Sequence, residues 1–288
     1  MSSVPLDEFS LAWRAARAAR LRRASLGLVL FLAATAFAVE ISSFDPWRLI
    51  AGLPRVTDFL GRLVPALTWS NLAVELADWY WGLERWLGLL WTTVMMALFG
   101  TAAGTLIGGG FSFLAARNLG ASRPVVFCVR RALEIARTVP DLVWALVFLF
   151  AFGLGPLAGV LAILVHTLGA QGKLFAEVNE NISLGPLEGV RASGGNRIDE
   201  IVFGVLPQVL PNFVSYTLWR FELNVRTATV IGFVGAGGIG MELYEAISLN
   251  YFSDAGAILI LVFLAVASID MAGEWIRLRL AGVSAQNN

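Results

Sequence analysis

The sequence predicts an all-α, polytopic membrane protein with about six transmembrane helices. Three observations carry that expectation. The chain is 57% hydrophobic and only 15% charged, where soluble domains are about a quarter charged. Its apolar residues lie in long runs rather than in short alternating ones. Arginines precede the first run and follow the second, fourth and last, which places those ends in the cytoplasm under the positive-inside rule. Lys+Arg and Asp+Glu both number 21, so net charge separates nothing. With Cys128 the single cysteine, an intrachain disulfide and a cysteine metal cluster are excluded.

Residues 2–23 are polar and basic, with Arg14, Arg17, Arg20, Arg22 and Arg23 on an Ala-rich, helix-prone stretch. The first apolar run, 26–41, is long for a signal peptide, and Val39-Glu40-Ile41 is a poor small-residue cleavage site. It reads as an uncleaved anchor with its N-terminus in the cytoplasm. Residues 42–85 carry Pro46, Pro54, Pro65 and several Trp. They are too polar to span and too apolar for a free linker, so they read as extracytoplasmic and partly interfacial. Trp69, Trp79, Trp81, Trp86 and Trp91 flank the next run as an interface belt.

The second run covers 86–114. Gly100, Gly104 and Gly108 recur on one face of it, where another helix can approach closely. Arg117, Arg123, Arg130 and Arg131 mark the return to the cytoplasm. The third run, 139–154, is expected to belong to a helix starting near Val125, and Gly153-Leu154-Gly155-Pro156 turns it into the fourth run, 157–170. A polar cytoplasmic stretch follows to Glu200. The fifth run extends from Val202 to about Val225, a Gly-rich segment from Thr227 to Gly240 is too broken for a simple span, and the last run covers 255–271. Both termini are then cytoplasmic. Non-helical backbone at membrane depth survives only where protein or a water-filled path covers it, so the Gly-rich segment points to a pathway.

The most specific motif lies in the long cytoplasmic loop. It reads Glu188-Gly189-Val190-Arg191-Ala192-Ser193-Gly194, followed by Gly204-Val205-Leu206-Pro207. Two short helices around the Gly194-Gly195-Asn196 turn would make a compact knob, since Gly and Asn tolerate positive φ. Glu188 follows Pro186 in a first helical turn, where a carboxylate suits the helix N-terminus. This spacing resembles the EAA loop of ABC importer permeases. The two alanines of that pattern are here Gly189 and Val190, and its isoleucine is Gly204. Further stretches are similar to the phosphonate importer permeases: Arg137-Thr138-Val139-Pro140-Asp141, Trp219-Arg220-Phe221-Glu222-Leu223-Asn224-Val225-Arg226 and Val234-Gly235-Ala236-Gly237-Gly238-Ile239-Gly240. The resemblance is dense over 177–247, looser over 86–174, and absent before Trp86.

That resemblance implies a type I ABC importer permease (MetI-like) fold moving phosphonate-like oxyanions across the inner (plasma) membrane; phosphite and phosphate are alternatives. It implies residues 86–280 as the permease core, with a coupling loop at about 176–207 carrying Glu188, Gly189, Arg191, Ala192, Gly194, Leu206 and Pro207. The implied partners are an ATPase dimer, an extracytoplasmic substrate-binding protein, a second copy of the chain and membrane lipid, with no nucleic acid. No Walker A sequence is present, because Gly172-Lys173 is followed by Leu174. ATP and Mg therefore belong to the partner ATPases, this chain binds no cofactor, and it is no enzyme.

Candidate pathway residues are Arg220, Glu222, Arg226, Gly235, Gly237, Gly238 and Gly240. Gly235 to Gly240 matches G-x-G-x-x-G, but no βαβ pattern surrounds it, so a dinucleotide site is not the reading. The glycines either line a pathway or allow tight helix packing. Glu222 and Arg226 are spaced for a helical pair; Arg226 or Arg220 either lends the pathway positive potential or closes a structural ion pair. His166 suits a packing role or a proton relay. Glu134, Arg137 and Asp141 read as one cytoplasm-proximal charged set. A secondary transporter would show an inverted repeat of broken segments, which the sequence lacks. A membrane enzyme would need a polar cluster, and only scattered charges occur.

Overall fold

The computed structural model describes residues 6–66 and 68–286, and every regular element in them is helical. The start of the basic N-terminal stretch, residues 2–5, lies outside the described residues. The chain divides into two compact units, one up to Phe59 and one from Leu60 onward. In the first, helix α1 (Leu6–Ile41) takes the arginine stretch and the apolar run together as one 36-residue helix, of which Ala16–Ile41 is apolar enough to span. Helix α2 (Pro46–Leu63) follows, and Asp45 Oδ1 caps it by accepting from Trp47 N at 2.9 Å.

The second unit holds α3 (Leu72–Trp79), α4 (Leu83–Ala115), a 3₁₀ turn (Arg117–Leu119), α5 (Arg123–Thr138), α6 (Asp141–Phe152) and α7 (Pro156–Glu180). Then come α8 (Gly185–Ala192), the single turn α9 (Arg197–Asp199), a π-helical stretch (Glu200–Val205), α10 (Leu206–Ile231), a second π stretch (Gly232–Ala236), α11 (Ile239–Ser248) and α12 (Phe252–Gln286). Five helices are long and apolar enough to cross a membrane, and the α5–α6 pair makes six if it counts as one span. The expected continuous third helix is not found. It breaks at Val139 and Pro140 with an 89° bend, because a residue before proline is driven out of helical backbone. The fifth helix runs on past the expected Val225 to Ile231, so only Gly235 to Gly238 are truly broken.

The glycine face of α4 is the central seam. A Cβ on Gly104 would stand 2.7 Å from Leu164 O, and one on Gly108 would stand 2.6 Å from Leu168 O, so the α4 and α7 backbones touch. Close approach gains dispersion and packing where lipid gives no hydrophobic drive between helices. Above and below that seam, one core gathers Met96, Ile163, Val225 and Ile231, and another gathers Phe175, Leu187, Val209 and Phe213, with Phe175 and Phe213 stacked at 3.7 Å. The tryptophan belt is only partly a surface feature. Trp69, Trp81 and Trp91 are exposed, whereas Trp79 and Trp86 are buried, with Trp79 Nε1 donating to Ser253 O at 2.8 Å.

Candidate functional site

The loop between α7 and α10 folds as a braced knob. Leu187, on the inner face of α8, is buried against Gly204, where a Cβ would stand 3.1 Å from Leu187 Cδ1. The glycine at the motif's isoleucine position therefore makes room for Leu187. Gly194 turns the chain with φ +85°, a conformation that strains any residue with a Cβ. Asn196 starts α9 with a capping box: its Oδ1 accepts from Ile198 N at 2.8 Å, and its own N–H donates to Asp199 Oδ2 at 2.8 Å. Arg191 reaches across the turn and donates to both Glu200 oxygens, at 2.7 and 2.9 Å. These bonds raise the Arg191 guanidinium above its ordinary value. Gln208 ties the base, accepting from Ser183 N at 3.0 Å and donating to Gly204 O at 2.6 Å.

Arg191 is thus an internal brace, while Glu188, Gly189, Ala192 and Gly194 are exposed on the knob's outer face. Leu206 is half-buried beneath them and Pro207 exposed. Leu184, Ile198 and Val202 leave apolar surface uncovered around that face. The π stretch just before Pro207 relaxes the ladder where proline supplies no N–H.

At the far end of α10 the chain breaks at glycines with positive φ: Gly235 at +100°, Gly237 at +76° and Gly238 at +71°. The tip between α6 and α7 docks on that break. Gly155 N donates to Gly235 O at 3.1 Å, and a Cβ on Gly235 would stand 2.6 Å from Leu154 Cδ2. Thr93 on α4 accepts from Ile239 N at 2.9 Å and starts α11. Gly240 lies against Gly232 and Thr229 so closely that a Cβ there would stand 1.9 Å from Thr229 O. Gly240 is a packing glycine, whereas Gly235, Gly237 and Gly238 make the turn.

Between the two ends lies a polar chain at membrane depth. Asn224 Nδ2 donates to Thr101 Oγ1 at 2.8 Å and Thr167 Oγ1 at 2.9 Å. Arg220 reaches Thr167 Oγ1 at 3.5 Å and contacts His166 Nδ1. His166 Nδ1 is also 2.9 Å from Asp141 Oδ1, and its Nε2 faces Arg137 O at 3.1 Å. Two sequence expectations are corrected here. Glu222 and Arg226 do not pair with each other; Glu222 pairs with Arg277 and Arg226 with Asp270, both on α12. The reason is on α12, where Gly273 leaves the room that Glu222 fills. Nor do Glu134, Arg137 and Asp141 form one set. Glu134 pairs with Arg131 at 2.7 Å and Lys173 at 3.4 Å, while the Pro140 bend carries Asp141 to His166.

Residues 108–281 match the family described as binding-protein-dependent transport system inner membrane component. The chain belongs to that family. It is 36% identical over 231 residues to the phosphite transport system permease protein PtxC of Stutzerimonas stutzeri, covering 80% of this chain and 79% of that one. Over 118 residues it is 48% identical to the putative cryptic phosphonate transport system permease protein PhnE2 of Escherichia coli strain K12, covering 41% of this chain and 97% of that protein. A solved inward-facing structure of the MetNI methionine ABC transporter aligns with TM-score 0.61 at 22% identity, over 69% of this chain and 96% of that one, which speaks to the fold. The expected fold and the expected class, an ABC importer permease of the inner membrane, are those found.

Sequence reasoning missed two features of this permease. The α12 partners Asp270 and Arg277 carried a signal, since seven residues apart they share one face of a largely apolar helix. The link of Asp141 to His166 and Arg220 carried less. Its signal is a lone histidine in an apolar run and an acid directly after a proline, which are far apart in sequence.

Proposed function

We propose that this permease works as a homodimer that passes a phosphonate-like oxyanion (a phosphonate, phosphite or phosphate) into the cytoplasm by alternating access. Both termini and the Glu188 to Pro207 knob face the cytoplasm, in keeping with the arginines before the first span and after the second, fourth and last. Two ATPase subunits carrying ATP and Mg seat the knobs, and a binding protein delivers substrate from outside. The permease binds no cofactor of its own. The observation that carries the reading is the knob itself. It is held rigid by Arg191, Asn196 and Gln208, yet its outer face and the apolar Leu184, Ile198 and Val202 are left uncovered. A rigid lever with an apolar docking face suits a part that transmits a partner's movement.

Within the membrane, Arg220 is the cation best suited to attract an oxyanion. Arg226 is answered by Asp270 alone, whereas Arg220 shares Asp141 only through the histidine between them. The relatives named for phosphite and phosphonate transport share one chemistry, a tetrahedral phosphorus oxyanion, which supports that substrate class. The test is uptake of radiolabelled phosphonate, phosphite and phosphate by proteoliposomes holding the permease, its ATPase and its binding protein. ATP-dependent uptake of at least one of them is expected, and uptake of none would remove the reading.

A further inference from the structure

At the end of α4 that the reading above places in the cytoplasm, four arginines line one cleft of about 380 Å³: Arg117, Arg123, Arg130 and Arg131. Two of them are committed. Arg130 donates to Ala115 O at 2.9 Å and pairs with Glu180 at 2.5 Å, while Arg131 pairs with Glu134 at 2.7 Å. Glu180 also accepts from the Arg117 backbone N at 2.8 Å. The Arg117 and Arg123 side chains are exposed and meet no acid among the described residues. Four guanidinium groups against two carboxylates leave the cleft with a net positive charge.

The rest of the wall is apolar. Phe127 is 63% exposed, with the Arg131 guanidinium 5.6 Å from its ring centroid, and Val125 is exposed on the same helix. Cys128, Ala132 and Ile135 continue the exposed apolar stripe along α5 toward the span. A purely aqueous anion has no use for such a stripe. A lipid does, since its phosphodiester can sit among the guanidinium groups while its chains follow the stripe. Basic pockets beside spans on the cytoplasmic side are where anionic headgroups collect.

We propose that this cleft is a binding site for an anionic phospholipid of the cytoplasmic leaflet, held by Arg117 and Arg123 with Phe127 beneath the headgroup. The site rests on the cytoplasmic placement given under Proposed function. It adds to the transport reading a lipid requirement at the base of α4 and α5, where Arg130 holds Glu180 at the end of α7, the helix that leads into the knob, and α5 leads into the Pro140 bend.

The probe is phosphatidylglycerol in phosphatidylcholine nanodiscs holding the permease with its ATPase. Retained lipid is counted by native mass spectrometry. The wild type should keep phosphatidylglycerol about 30-fold more tightly than an Arg117→Gln/Arg123→Gln variant, taking about a fivefold gain per surface arginine. An Arg117→Lys/Arg123→Lys variant should keep most of that binding, which shows that lost charge rather than lost folding is read. Inorganic phosphate should not displace the lipid. Equal retention by wild type and glutamine variant would overturn the site. So would displacement by phosphate, which would make it a soluble-oxyanion site, and so would loss of the ATPase with lipid retained, which would make it a subunit contact. Sidedness is measured apart, with a membrane-impermeant maleimide on Ala121→Cys in a Cys128→Ser background. Labelling from outside would fail the orientation without touching the lipid count.

Discussion

His166 Nδ1 lies 2.9 Å from the Asp141 carboxylate and at the same time faces the Arg220 guanidinium. One ring nitrogen cannot donate to the acid and accept from the arginine together. A protonated Nδ1 donates to Asp141 Oδ1, and an unprotonated Nδ1 accepts from Arg220, so the position of one ring proton decides which of the two the histidine binds. The histidine therefore joins three helices around the α5–α6 bend: Arg137 before it, Asp141 after it and Arg220 from α10.

Replacing His166 by leucine removes that joint and leaves an acid and a guanidinium at membrane depth without their bridge. The expected loss is about 1–3 kcal/mol of stability, read as a lower Tm of the detergent-purified complex. His166→Gln, which keeps a donor for Arg137 O, should lose less. Equal Tm values for both variants and the wild type would show that the joint holds nothing.

Arg226 and Arg220 should behave differently. Arg226→Gln leaves Asp270 without its partner, and adding Asp270→Asn should recover assembly and uptake together. Arg220→Gln should assemble but lower the uptake of an oxyanion, and no change on α12 should rescue it. Uptake that falls with Arg226→Gln/Asp270→Asn and not with Arg220→Gln would exchange their roles.

Gly238 carries a backbone that side chains rarely adopt, φ +71° and ψ −166°, and a Cβ there would stand 2.4 Å from Thr93 Oγ1. Gly238→Ala should cost about 1–3 kcal/mol and slow transport, because Thr93 is pushed off the Ile239 N–H that starts α11. Gly110, inside α4, has open space around it, so Gly110→Ala is the control that should lower neither Tm nor uptake.

On the knob, Ala192→Asp puts a charge on the exposed docking face without touching a buried group. The variant should fold and reach the membrane but fail to co-purify with the ATPase. Arg191→Ala should weaken co-purification indirectly, by loosening the turn that Glu200 braces. An Ala192→Asp chain that still captures the ATPase at full yield would move the contact elsewhere.

The spans were legible because long apolar runs and arginine placement are coarse signals that lipid enforces on every span. The glycine face of α4 was legible for a local reason: Gly100, Gly104 and Gly108 repeat with the helix period, and they meet α7 as that repeat implies. Ion-pair choice was not legible. The i,i+4 spacing of Glu222 and Arg226 suits a pair, but a glycine on a distant helix decided otherwise. The bend at Pro140 was not anticipated, although a proline disfavours helix in the residue before it, and where the bend sends Asp141 depends on α7 and α10.

The most direct measurement is ATP hydrolysis by the permease reconstituted with its ATPase, with and without binding protein loaded in turn with a phosphonate, phosphite or phosphate. Stimulation by at least one loaded form, lost with Ala192→Asp, is what a knob-coupled oxyanion importer predicts. Hydrolysis indifferent to every loaded form, or unchanged by Ala192→Asp, would contradict it.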